Sequence, residues 1–298
     1  MGEIAALATA FCWAWSSLLS SSASSAIGSI NVNRIRLILA VLYISLTNLA
    51  LTGQLLPIHA SSKSWLWLGL SGIIGLVIGD GFLYQSYVMI GVRLGTLIMS
   101  SVPVMSTLIA WVFLGEYLSV NKLVGIIITV IGIAIVVLER NPNGGQHKNT
   151  RQFILGILAG IGGSAGQAVG LVLAKQGFTP DLPTYAGVVI RMLCAMLALW
   201  LFTIITGKTK QTFEKTAANK QALRSILIAS IVGPFIGVWL SLVSIRAAYI
   251  GVASTLMALT PVILLPVMKW GYKEKVSNRA VGGTLLAMAG VAFLFILA

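Results

Sequence analysis

Acidic residues are scarce in this chain, which holds 7 Asp and Glu among 298 residues, with only 9% of its residues charged. Soluble domains devote roughly a quarter of their residues to charge, so this composition cannot build a water-facing surface. Histidine and cysteine are equally thin. His59 and His147 lie between apolar runs, and Cys12 and Cys194 lie inside them. No HExxH, CxxC or Cys/His spacing results, which excludes a zinc-type metal centre and a disulfide framework. The two cysteines read as packing residues. A GxxxxGK[ST] phosphate loop is also missing, which disfavours a nucleotide-driven pump, and no cofactor is expected. An intramembrane enzyme would need a base beside a nucleophile, and no such constellation stands out.

What is present is apolar surface, at 57% of all residues. Continuous apolar runs fall at 3–22, 33–51, 65–87, 92–114, 120–138, 153–173, 184–206, 222–245, 251–270 and 279–297. Each is near the length of about 20 residues that a helix needs to cross a bilayer core. The runs do not alternate every second residue, so a barrel of strands is not expected. The prediction is an all-α polytopic membrane protein of ten transmembrane helices. The first run follows Met1-Gly2-Glu3 with no basic segment and reads as a retained helix rather than a secretory signal.

The formal net charge of +13 would suggest a nucleic-acid partner in a soluble protein. Here Lys and Arg sit in the gaps between apolar runs, so the expected partners are anionic membrane lipids, with no nucleic acid.

Shifting the chain by 158 positions lays 75–139 over 233–297 without a gap. The shift matches Gly75 with Gly233, Gly79 with Gly237, Met99 with Met257, Pro103 with Pro261, Glu116 with Glu274, Ser119 with Ser277, Gly125 with Gly283 and Gly132 with Gly290. Apolar composition alone produces stray glycine matches, but not a proline inside a run and a Glu-x-x-Ser turn in one register. The chain therefore reads as two repeats, 1–139 and 153–298, joined by a linker at 140–152. Five helices per repeat is an odd number, so the second copy enters the membrane in the opposite sense. That is the inverted-repeat plan of many secondary transporters.

Lys and Arg crowd one face, with Lys208, Lys210, Lys215, Lys220, Arg224, Lys273 and Lys275 among them; the other face carries Lys63, Lys122, Lys175 and Arg246. The positive-inside rule then sets both termini away from the cytoplasm of a cell membrane.

Charges inside spans cost roughly 2.5 kcal/mol or more on insertion scales and are functional candidates by default. Arg36 lies about one turn inside its run and either snorkels to headgroups or pairs with Asp80, which approaches from the same leaflet. Asp80 is also the candidate for proton coupling. Tyr84 follows at i+4 on the same helical face, and Gln85 lies beside it. Arg191 lies deeper. Its planar fork can take a substrate carboxylate or phosphate bidentately, or tie its helix to neighbouring carbonyls.

Trp13, Trp15, Ser16, Ser17, Gln167, Trp239, Ser241 and Ser244 are cavity candidates, with interfacial anchoring and helix-joining hydrogen bonds as the alternative roles. Trp13 and Gln167 hold comparable places in the two repeats. Pro103 and Pro261 lie mid-run, where each removes an amide donor and frees the carbonyl of Met99 or Met257, making a pair of candidate hinges.

Taken together, Pro103-Val104, Pro261-Val262, Leu114-Gly115-Glu116 before Ser119, and Gly125 with Gly132 resemble the EamA-type branch of the drug/metabolite transporter superfamily. In the second half only the glutamate of Leu-Gly-Glu carries over, in Tyr272-Lys273-Glu274. The resemblance implies a basket of ten helices around a central cavity. It also implies transport, often export, of amino acids, nucleobases or similar metabolites. A flippase for lipids or lipid-linked sugars is the competing reading, and an intramembrane enzyme the remote one.

Overall fold

The structure, a computed structural model, describes residues 2–114, 119–138, 150–247, 256–271, 273 and 276–296. Glu116, Gly251 and Glu274, and most of the 140–152 linker, lie outside the described residues. Every regular element among the described residues is helical. Within lipid a helix satisfies its own backbone donors and acceptors, which an open strand cannot do.

The first half contains α1 (Gly2–Ile27), α2 (Ser29–Thr52), α3 (Ser62–Gly72), a π-helical turn (Ile73–Gly79), α4 (Asp80–Met99), α5 (Val102–Leu114) and α6 (Val120–Leu138). The second contains α7 (Thr150–Gly177), α8 (Thr184–Ile205), α9 (Thr209–Ala218), α10 (Lys220–Ser230), a second π-helical turn (Ile231–Gly237) and α11 (Val238–Ala247). After these come α12 (Thr260–Pro266), a third π-helical turn (Val267–Gly271) and α13 (Asn278–Ile296).

Among the described residues seven helical stretches are long and apolar enough to cross a membrane. One of them, Ser62–Met99, runs for 38 residues. At 1.5 Å per residue that would be about 57 Å, nearly twice a bilayer core. Gly91 divides it, with φ 83° and ψ 159°, a backbone conformation open almost only to glycine.

Outward faces are apolar, as a lipid solvent requires: Leu42, Leu46, Leu197, Leu201 and Ile205 are all half exposed or more. Inside, small residues let helices approach closely. The buried face of α7 consists wholly of Gly, Ala and Ser, from Gly156 to Gly177, and it packs along α3, the first π turn and α4.

The tightest crossing joins α6 to α13. A Cβ built on Gly132 would lie 2.7 Å from the Gly283 carbonyl oxygen, and one on Gly290 would lie 2.8 Å from that of Gly125. The contacts are reciprocal between matched positions of the two halves. Numbers rise on one helix as they fall on the other, so α6 and α13 run antiparallel.

The two long π turns, Ile73–Gly79 and Ile231–Gly237, occupy the same register of the two halves. Breaks before the prolines correspond as well. Residues 100–101 separate α4 from α5, and 258–259 precede α12. This changes the expected hinge. Pro103 and Pro261 do not bend continuous helices; each lies in the first turn of a new one, where a missing amide donor costs nothing. Hydroxyls take carbonyls at the breaks. Ser100 donates to Leu97 at 2.6 Å, Ser101 to Ile98 at 2.7 Å and Thr260 to Met257 at 3.0 Å.

A further difference lies between α8 and α10, a stretch that reads as a plain basic loop. It forms the short helix α9, with Lys210 and Glu214 one turn apart at 3.8 Å.

Candidate functional site

The site grows out of the first π turn. A π turn spaces its hydrogen bonds irregularly and leaves carbonyls free for other donors. The Asp80 amide donates to the carbonyls of Gly75 and Val77 and passes over that of Leu76. Asn33 on α2 fills the gap, donating from Nδ2 to the Leu76 carbonyl at 2.9 Å. Gln167 on α7 donates from Nε2 to the Gly75 carbonyl at 3.1 Å. The turn is thereby tied on two sides, and it sets Asp80 at the start of α4 in the interior.

Asp80 is 6% exposed, and both of its oxygens are engaged. Oδ2 pairs with the Arg36 guanidinium, and Oδ1 accepts from Gln167 Nε2 at 2.5 Å. Arg36, itself 6% exposed, also donates to Asn33 Oδ1 at 3.3 Å and lies over the Tyr84 ring, 5.1 Å from its centroid. Of the two roles open to Arg36, the structure has the ion pair and not the snorkel. Tyr84 and Tyr87 are buried on the same face, with ring centroids 5.9 Å apart.

Arg191, on α8, completes the group and is 4% exposed. Its backbone carbonyl presses on Gly72, where any Cβ would overlap it. Its Nη2 lies 2.9 Å from the point a Cβ on Gly75 would occupy, and Gln167 Oε1 lies 3.6 Å from that point. Gly72 thus leaves room for the backbone of α8 and Gly75 for the guanidinium. Among the described residues Arg191 makes no hydrogen bond or ion pair, and its Nε is buried without a partner.

Other expected residues are spent on packing. Ser16 donates to the Ala229 carbonyl at 3.1 Å, Ser17 to that of Ala14 at 2.8 Å, and Ser241 to that of Val238 at 2.7 Å. These hydroxyls join or brace helices and are not free to meet a solute. Gln85 accepts from Ser29 at 2.7 Å, linking α4 to α2. Trp13 abuts Gly237 at the end of the second π turn, as Gln167 abuts Gly79 at the end of the first. Trp239 stacks at 6.2 Å on Phe235, within that same segment. Trp15, by contrast, is 54% exposed. It borders an outer groove of about 410 Å³ with Phe11, Ala14, Leu18, Ile263, Pro266 and Val267, a lining that includes none of the charged residues.

Asn33 and Gly72 were not singled out from the sequence, and Gly75 only as a repeat match of Gly233. The signal for Asn33 was available: an amide one turn before Arg36, on one face of an apolar run. A second arginine went unnoticed too. Arg34 is 1% exposed and donates to Asn31 Oδ1 at 3.1 Å and Thr212 Oγ1 at 2.8 Å, fastening α9 over the start of α2.

Comparison with known proteins bears on the fold and the family. The chain is similar over its whole length to a protein of known crystal structure, with 15% identity and a TM-score of 0.66 across 97% of that chain. At that identity the likeness concerns the fold alone. No curated protein matches the sequence. The model of the EamA-like transporter family matches residues 1–138 and again 154–296. With nearly the whole chain covered by those two matches, this multi-pass membrane protein belongs to the EamA-like transporter family.

Proposed function

We propose that the chain is a secondary transporter that moves a small organic metabolite across a cell membrane by alternating access, exporting amino acids or related metabolites. The observation that carries the reading is the make-up of the buried polar cluster. Asp80 and Arg36 come from the first half of the chain, and Gln167 and Arg191 from the second. A charged group at membrane depth, shared between two halves of a duplicated fold, sits where carriers hold their substrates.

We read the helices as ten crossings, with Gly91 dividing the longest run, and the halves 1–139 and 153–298 as inverted five-span repeats. The reciprocal antiparallel contact of α6 with α13 supports that relation. Proton coupling, within this reading, runs through Asp80, the one buried carboxylate among the described residues. Both termini face away from the cytoplasm; a C-terminal reporter active in the cytoplasm would overturn that orientation.

The lipid-translocation alternative would draw on the groove beside Trp15. Its lining is entirely apolar and offers a headgroup no polar path. Counterflow tests the main reading. Proteoliposomes preloaded with an unlabelled solute from a panel of amino acids, nucleobases and small organic acids should, for at least one of them, accumulate the matching labelled solute above protein-free vesicles. Failure with every amino acid, nucleobase and small organic acid of a broad panel would refute it.

A further inference from the structure

Resting on the carrier reading, the charge balance of the buried cluster narrows the substrate. Arg36 and Arg191 bring two cations to the site, and Asp80 brings one carboxylate. Asp80 is committed on both oxygens, to Arg36 and to Gln167. Arg191 feels the Asp80 charge without a hydrogen bond or ion pair to it, and is buried beside Gly75 with an unpartnered Nε. Among the described residues no carboxylate other than Asp80 is buried to balance it. Glu3, Asp181 and Glu214 are exposed, while Glu116, Glu139 and Glu274 lie at the ends of apolar runs in the sequence. One carboxylate between two buried cations leaves a net positive charge, which is strongly disfavoured in a low-dielectric interior. The missing charge must come from what the site binds.

We propose that Arg191 is the anchoring ligand for a substrate of net charge −1, an organic carboxylate without a compensating ammonium group. The planar guanidinium matches a carboxylate bidentately. A single negative charge makes the cluster neutral, and a dianionic phosphate monoester would overshoot. A zwitterionic amino acid would bring an ammonium to a site whose only carboxylate is already paired. The substrate is thereby an organic acid, or an amino acid whose amine is masked.

The test uses benzoate, benzamide, benzylamine and phenyl phosphate as probes on the purified full-length protein in detergent. Thermal unfolding with each probe at millimolar concentration reads binding by mass action. Benzoate is expected to raise the melting temperature of the wild type while benzamide and benzylamine do not, and Arg191→Gln should lose that rise. Arg191→Lys, which keeps the charge but not the fork, should weaken benzoate by about tenfold.

Equal stabilisation by benzoate and benzamide, no stabilisation by benzoate, greater stabilisation by phenyl phosphate, or a full benzoate effect in Arg191→Gln each overturns the proposal. Should Arg191→Gln fail to fold, the Lys variant and the wild-type probe series decide. Labelled benzoate counterflow separates the two readings. Arg191-dependent binding without flux of any solute would sink the carrier and keep the anion site. Flux of some solute without Arg191-dependent benzoate binding would do the reverse.

Discussion

Replacing Asp80 by Asn removes the one carboxylate that the two central arginines share, in a side chain of nearly the same shape. Asn can still accept from Gln167 through its carbonyl oxygen, so the loss is electrostatic more than steric. Arg36 would keep only its hydrogen bond to Asn33 and its place over the Tyr84 ring. Removing one member of a buried ion pair costs about 3–5 kcal/mol, because the other charge stays behind unneutralised. For a chain of this size each kcal/mol lowers the melting temperature by about 2 °C, which makes the expected drop about 6–10 °C.

Arg36→Gln should cost less than Asp80→Asn. Asp80 also interacts with the Arg191 charge, so it keeps a cation when Arg36 is lost, whereas Asp80→Asn orphans both arginines. The double variant should melt above the sum of its parts, with an interaction energy of about 1–3 kcal/mol. Fluorescence-detected unfolding in one detergent at one scan rate measures all four proteins, which holds constant any irreversibility. Additive single effects, or an Arg36→Gln variant less stable than Asp80→Asn, would refute the account of one carboxylate serving two cations.

The α6 and α13 crossing offers a second test. Gly132→Leu and Gly290→Leu each force a side chain into backbone of the partner helix and should destabilise by similar amounts, about 2 kcal/mol or more. A unilateral effect in unfolding experiments would contradict the reciprocal contact. Gly91→Ala meets open space but must hold φ 83°, so its cost is backbone strain alone, about 1–3 kcal/mol. An unchanged melting curve would mean that the chain turns at another residue.

Much of this architecture was written in the apolar runs. Runs at 184–206 and 279–297 lie within a residue or so of α8 and α13, because bilayer thickness sets their length. The register match of Gly132 with Gly290 marked the duplication, and both glycines lie in the α6 and α13 crossing. The π turns were invisible. An extra residue per turn leaves no mark on hydrophobic periodicity, and Gly75 and Gly79 marked only that something there must be small. The Arg36 and Asp80 pairing was legible as an option, since both lie near one leaflet. Which carbonyl a serine serves was not, because Ser16 and Ser241 present the same pattern whether they face a helix or a cavity. Helix α9 was missed because a Lys-rich segment reads as loop by composition, although Lys210 and Glu214 at i and i+4 signalled a helical turn.

The deepest feature is that the two halves share a scaffold and not a chemistry. Both carry a π turn in the same register, a break before a matched proline and a glycine at the α6 and α13 crossing. Yet the residue after the first π turn is Asp80 and the one after the second is Val238. Gln167 meets the first turn's last glycine with its backbone and sends its side chain to Gly75, whereas the Trp13 ring lies against the second turn's last glycine. For a carrier these two requirements pull apart. Opening to either side must cost about the same, which favours a scaffold nearly superposable on itself after inversion. A small solute has a charged end and an apolar end, and a site that was itself symmetric would bind it in two opposed poses. Keeping glycines, π turns and breaks in duplicate while letting Asp80 stand opposite Val238 and Gln167 opposite Trp13 meets both demands at once. On this argument, a charge inserted at Val238 would restore chemical symmetry at the expense of substrate orientation, while leaving the scaffold's own balance between its two openings intact.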